Sequence, residues 1–134
     1  MSQIITYLTF NGNCKEAMEF YQSCLGGKLD VKSLIETPVG DRFPDELKKL
    51  VVNASLKKDN IVLMGTDLRD DELVNGNSVS ILLNSKDEAQ IRLYYEKLVK
   101  DGLETYPLQE TYKGDLFGGL TDRYGHHWLF HCGK

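Results

Sequence analysis

One pattern of elements occurs twice in this chain. An apolar stripe at i, i+3, i+4, i+7 and i+8 appears first as Ala17, Phe20, Tyr21, Cys24 and Leu25. It returns as Ile91, Tyr94, Tyr95, Leu98 and Val99. That spacing places each set on one face of a helix. Each stripe follows one short run rich in β-branched and aromatic residues and precedes three more. In the first half the strand runs are Ile4–Phe10, Leu29–Glu36, Leu50–Leu56 and Ile61–Gly65. In the second half they are Ser78–Leu83, Leu103–Tyr112, Leu116–Thr121 and His126–Cys132. Glu16-Ala17 recurs as Glu88-Ala89 and Phe20-Tyr21 as Tyr94-Tyr95, at slightly different offsets, so the repeat is structural rather than close in sequence. One βαβββ unit is a curled four-stranded sheet with a helix on its back. Two such units cover each other's open edges and enclose a concave surface, which is left for a ligand. The expected fold is therefore α+β: two tandem βαβββ modules forming curled mixed sheets around a concave cleft. All of 1–134 is read as one domain, with module 1 over about 1–66, an acidic linker over about 67–77 and module 2 over about 78–134.

Local signals punctuate this plan. Asn13 with Glu16, and Ser85 with Glu88, have capping-box spacing at the two helix starts. Gly26-Gly27 and Gly102 end the helices. Thr37–Leu50 is a long connection, and Pro44 starts a short helical turn through Leu47. Pro107 inside Leu103–Tyr112 suits an edge strand or a bulge, and Gly118-Gly119 inside a strand marks close backbone approach or a bulge. The last two strands form a hairpin over Gly114–Gly133, whose turn requires positive φ at Gly125. Alternation puts His127, Leu129 and His131 on one face. His126, Trp128 and Phe130 take the other, where Trp128 meets the second helix.

Charge and cysteine content narrow the partners. The chain has 134 residues, a net charge of −4 and no basic cluster, which argues against nucleic acid. The densest charge run, Asp67–Glu72, reads as a solvated linker. Cys14, Cys24 and Cys132 form no Cys-x-x-Cys pair, and Cys14 and Cys24 sit roughly 15 Å apart on one helix. All three read as free thiols in a reducing cytoplasm. No apolar run approaches the ~18 residues of a membrane span. The first residues enter a strand directly, so no signal peptide and no membrane partner are expected.

The residues Tyr7-Leu8-Thr9-Phe10-Asn11-Gly12-Asn13, Glu16-Ala17, Phe20-Tyr21 and Leu25-Gly26-Gly27 resemble the first module of the vicinal oxygen chelate superfamily. The closing run Leu120 to Trp128, with Asp122, Gly125, His126 and Trp128, resembles its last hairpin. The Asn-Gly-Asn turn and this ending are most similar to the PhnB-like branch. The superfamily includes glyoxalase I, extradiol dioxygenases, fosfomycin-resistance transferases and bleomycin-binding proteins. Its metal enzymes carry His, Glu or Gln ligands on the first and last strands of each module. By that resemblance the ligand positions fall here on Thr6 (or Tyr7 if the strand is bulged), Leu63, Ser78 and Leu129. Metals require carboxylate, imidazole or thiolate donors converging on one point, which these residues do not supply. His127 and His131 are about 13 Å apart along their strand and cannot share an ion.

The expectation is thus a metal-free, cofactor-free member that binds a small organic molecule in the cleft. Its ligand-binding candidates are Thr6, Tyr7, Phe10, Arg42, Phe43, Leu63, Ser78, Ser80, His127 and Leu129. Arg42 and Phe43 lie on the connection that lids the cleft. Gapless matching puts Thr6 and Phe10 in the cleft, whereas a bulge puts Tyr7 there. His127 and Tyr7 are the candidate acid or base if there is a reaction. Two alternatives stand beside this reading: a glyoxalase-like or dioxygenase-type enzyme with a remade metal site, and a non-catalytic self-association module. The methyltransferase label common in the PhnB-like branch finds no support, because neither Gly26-Gly27 nor Gly118-Gly119 has the form of an adenosylmethionine loop. The resemblance also implies a homodimer.

Overall fold

The computed structural model describes residues 1–67 and 73–133. Most of the acidic run Asp67–Glu72 lies outside the described residues. The chain divides into two compact units, Met1–Val74 and Asn75–Lys134. The first contains β1 (Thr6–Phe10), α1 (Cys14–Leu25), β2 (Lys28–Ser33), β3 (Val51–Lys58) and β4 (Ile61–Asp67). Between β2 and β3 are three short 3-10 turns, the last at Asp45–Leu47 directly after Pro44. The second contains β5 (Ile81–Ser85), α2 (Glu88–Leu98), β6 (Leu103–Glu110), β7 (Leu116–Thr121) and β8 (His127–Cys132).

Both sheets have the same order, β1-β4-β3-β2 and β5-β8-β7-β6. The outer pairs β1·β4 and β5·β8 are parallel and the others antiparallel. The duplicated βαβββ pattern is therefore a duplicated sheet topology. Each helix covers one face of its own sheet. Under α1 lie Leu8, Phe10, Ala54, Leu56 and Leu63, packed on Ala17, Met18, Tyr21 and Leu25. Under α2 lie Leu83, Leu116, Leu120, Trp128 and Phe130, packed on Ile91, Tyr94, Tyr95 and Leu98. Fully burying a residue such as Ile91 or Leu98 contributes about 2–3 kcal/mol. Among the described residues no helix is long and apolar enough to cross a membrane.

Three local expectations are corrected. Asn13 makes no side-chain cap; the α1 start is held by Asp67 at the end of β4, whose Oδ1 accepts the Cys14 N–H at 2.9 Å. At α2 the cap is Asp87, which accepts the Gln90 N–H at 3.2 Å. Ser85 still belongs to β5, and its hydroxyl accepts the Asp87 N–H at 3.0 Å to turn the chain into the helix. Third, β5 begins at Ile81 rather than Ser78, because Ile81 is the first residue paired with β8.

β6 is an edge strand, as Pro107 suggests, and its pairing with β7 slips twice between Glu104 and Gln109. A Cβ on Gly118 would stand 2.8 Å from the Leu108 Cα. Only glycine lets the bulged edge strand approach there.

Candidate functional site

The face of each sheet away from its helix is where the alternation directs the remaining side chains. On the first sheet β1 settles the parity left open by sequence. Phe10 is buried, with its ring 6.3 Å from that of Tyr21. Thr6 and Leu8 follow it towards α1, and Leu63, paired with Thr6, is buried on the same side. Thr6, Phe10 and Leu63 therefore leave the helix-free face. Tyr7, 51% exposed, takes it beside its pair partner Met64, and Thr9 stands opposite Thr66.

The long connection crosses this unit. The Leu34 N–H donates to the Leu50 carbonyl at 2.8 Å, and the Ile35 N–H to the Lys48 carbonyl at 3.1 Å. Phe43 is half-buried and, with Leu34, Leu50, Val51, Val52, Thr66 and Asp67, lines a cavity of about 160 Å³. Its walls are mainly apolar, and the Thr66 hydroxyl is spent on the carbonyls of Val51 and Val52 at 3.2 and 3.3 Å. Arg42, the neighbour of Phe43, is exposed and does not line it.

On the second sheet Leu129 and Leu82 are paired across β8 and β5, and Leu82 is 55% exposed. Leu129 also faces Gly119 on β7. A Cβ on Gly119 would meet Leu129 Cδ2 at 2.9 Å and Tyr106 Cδ2 at 3.1 Å, so these two side chains converge over the glycine. Tyr106 lies 6.5 Å from Phe117 between ring centroids. Ser78 and Ser80 are exposed and precede β5, outside the ladder.

The three histidines have distinct roles. His127 Nε2 is 2.8 Å from the Gly76 carbonyl, and Nδ1 is 2.8 Å from the Thr121 hydroxyl. A carbonyl only accepts, so Nε2 carries the proton, and in the neutral ring Nδ1 accepts from Thr121. Both nitrogens are engaged, and His127 acts as a brace between β8, β7 and the residues before β5. Burial pushes the His126 ring down in pKa, with the Asp122 carboxylate opposing and His127 adding to the fall. His131 is not at a loose end. Its Nε2 donates to Asp115 at 2.7 Å and its Nδ1 lies 2.7 Å from Asn84 Oδ1.

Asp115 also accepts from the Thr111 hydroxyl. These two hydrogen bonds, Thr111 first and His131 second, hold its carboxyl down at about 2. A carboxyl depressed in the folded state stabilises the fold above its unfolded pKa of about 3.9, and that contribution is lost as pH falls towards 2. In urea unfolding between about pH 5 and 2, Asp115→Asn is therefore expected to show a shallower loss of stability than wild type. Equal slopes would sink this assignment.

A divalent ion, which the resemblance to the vicinal oxygen chelate superfamily implies, does not fit the residues present. The positions carried over by resemblance hold Thr6 or Tyr7 and Leu63 on one unit and Ser78 and Leu129 on the other, and the ladder partners Met64 of Tyr7 and Leu82 of Leu129 are no better donors. Among the described residues no three of His, Cys, Asp and Glu stand close enough to hold a metal.

Comparison with known proteins adds the following. A family model described as 3-demethylubiquinone-9 3-methyltransferase matches residues 2–130. Protein YjdN of Escherichia coli (strain K12) is 26% identical over 140 residues, covering 96% of this chain and 93% of that protein. The crystal structure of protein PA1353 from Pseudomonas aeruginosa is similar at 31% identity and a TM-score of 0.83, covering 98% of each chain. The PhnB protein from Bacillus cereus follows at 24% identity and a TM-score of 0.77, covering 98% of this chain and 100% of that one. The fold is also that of a glyoxalase/bleomycin resistance protein/dioxygenase family enzyme from Burkholderia phytofirmans PsJN.

Proposed function

The chain belongs to the PhnB-like family described as 3-demethylubiquinone-9 3-methyltransferase, and from that premise we propose that it binds a small organic molecule without a metal, seating an apolar group under Phe43. The observation that carries this reading is the cavity of about 160 Å³ lined by Phe43, Leu34, Leu50 and Val52. The cavity is open to solvent on one side, and a volume of about 150 Å³ is large enough for a benzene ring. The ligand class is therefore a molecule with one aromatic ring or a branched alkyl group. Its remainder lies towards Thr66, where the backbone carbonyls are already satisfied by the hydroxyl.

Methyl transfer, which the family description names, is not part of this reading. Gly26-Gly27 closes α1 and Gly118-Gly119 lies inside β7, so neither pair opens a helix over a cofactor. His127 is not assigned as a base, because both its ring nitrogens are held by the protein's own groups, Nε2 by the Gly76 carbonyl and Nδ1 by the Thr121 hydroxyl.

The test is ligand-observed NMR with toluene as the reference probe and single-ring phenols as the panel. Wild type is expected to bind saturably. Phe43→Trp, which fills the cavity, and Phe43→Ala, which removes a wall, are both expected to weaken binding by about tenfold or more, as the loss of a buried apolar contact implies. Unchanged affinity in both variants, or no saturable binding to wild type, would overturn the proposal.

A further inference from the structure

The first unit holds a second cavity that shares only Val51 with the one under Phe43. It measures about 620 Å³, within the range of small-molecule sites. Val31, Ile35 and Val51 form apolar walls, and Lys15 and Lys49 stand over them from α1 and from the residues before β3.

The charges around it do not cancel. Glu36 is the carboxylate at the cavity, and it is turned to its own loop. It accepts the Ser33 backbone N–H at 2.6 Å and the Ser33 hydroxyl at 3.1 Å. Those two bonds, followed by the ammonium groups of Lys32 and Lys15, hold its carboxyl below the usual range. Among the described residues Lys15 and Lys49 form no ion pair, whereas Lys48, the chain neighbour of Lys49, is paired with Asp45 at 3.0 Å. With Glu36 the single carboxylate against Lys15 and Lys49, positive charge is left in excess beside the apolar walls, which is complementary to a molecule with one anionic end. A bare phosphate would leave the floor unused, and bidentate arginine, the usual partner of a dianion, is not among the lining residues.

We propose that this cavity binds a small organic carboxylate, its apolar body against Val31, Ile35 and Val51 and its carboxylate held by Lys15 and Lys49. The site is separate from the cavity assigned above, and each can fail without the other.

The probe is octanoate, titrated by calorimetry at low ionic strength, with 1-octanol as the uncharged control. Wild type is expected to show one saturable site that weakens on adding salt. The double variant Lys15→Met/Lys49→Met is expected to bind about tenfold more weakly, since two exposed ion pairs together contribute in that range. Both lysines are exposed, so the variant keeps the core intact, and its thermal unfolding checks this. Phe43→Trp is expected to leave octanoate binding unchanged while it weakens toluene binding by about tenfold or more. Four results would each overturn the proposal: no saturable octanoate site, equal affinity in the double variant, equal affinity for octanol, or loss of octanoate binding in Phe43→Trp.

Discussion

Replacing Asp122 with alanine is expected to lower the stability of the second unit by about 3 kcal/mol, with a range of roughly 2–4. Asp122 is only 3% exposed, and its carboxylate organises the β7–β8 hairpin. Oδ1 accepts the backbone N–H groups of Tyr124 at 2.8 Å and His126 at 3.1 Å. Oδ2 accepts the Trp128 Nε1–H at 2.8 Å in a buried contact. Gly125 then closes the turn at φ +89°. Alanine leaves the indole N–H buried and without this acceptor, which is the costly part. Asparagine keeps an oxygen for the two backbone donors but turns an NH2 towards the indole N–H. Asp122→Asn is therefore expected to cost about half as much. A double-mutant cycle isolates the contact. In a Trp128→Phe background the donor is gone, so Asp122→Asn is expected to lose most of its effect. Urea unfolding followed by far-ultraviolet circular dichroism supplies the numbers. If Asp122→Ala stays within about 0.5 kcal/mol of wild type, the carboxylate does not organise this hairpin.

That hairpin shows what sequence can and cannot reveal. Alternation alone places Trp128 and Phe130 opposite His127 and Leu129, because the period of a strand is fixed by its pleat. The helix stripes are equally legible, since only a helix brings Ile91, Tyr94, Tyr95 and Leu98 to one face. Period two does not say which face is the core when both carry aromatics or hydroxyls. In β1 both Tyr7-Thr9 and Thr6-Phe10 satisfy it, and the choice is made by Tyr21 of α1 packing on Phe10. The cavity under Phe43 is legible only as a lid on a long connection. Its walls come from Leu34, Leu50 and Val52, which pairing between distant segments brings together. Carboxylates are least legible. Asp67 reads as the first residue of a charge run, and Asp115 as an ordinary hairpin residue. Their partners, Cys14 and His131, are distant in the chain, and no local pattern announces them. Asp122 is the exception, because an aspartate three residues before a turn glycine has the spacing of an Asx turn.

The corresponding experiment in the first unit is on Asp67. Its Oδ1 accepts the Cys14 N–H at 2.9 Å and its Oδ2 the Val51 N–H at 2.9 Å, so one carboxylate joins the starts of α1 and β3 to the end of β4. Asp67→Ala removes a helix cap and a strand-end acceptor together and is expected to cost about 2–3 kcal/mol. Asn retains one acceptor and is expected to cost less. The same carboxylate acts on the Cys14 thiol beneath it. Burial first, and the Asp67 charge second, push that thiol up to about 12. At pH 8 its thiolate fraction is then about a thousandfold below that of an ordinary cysteine near 8.5. Alkylation of Cys14 in the native protein, followed site by site by mass spectrometry, is expected to be slower than that of a free thiol by at least that factor. In Asp67→Asn the negative charge is gone while the burial remains. The onset of labelling is therefore expected to move to lower pH without reaching that of a free thiol. Labelling of native wild-type Cys14 at the rate of a free thiol would contradict the burial. An unchanged onset in Asp67→Asn would contradict the electrostatic role of Asp67. Stability measured on the same variants separates the cap from the charge, because Asp67→Ala and Asp67→Asn remove the same charge and differ in the acceptor that remains.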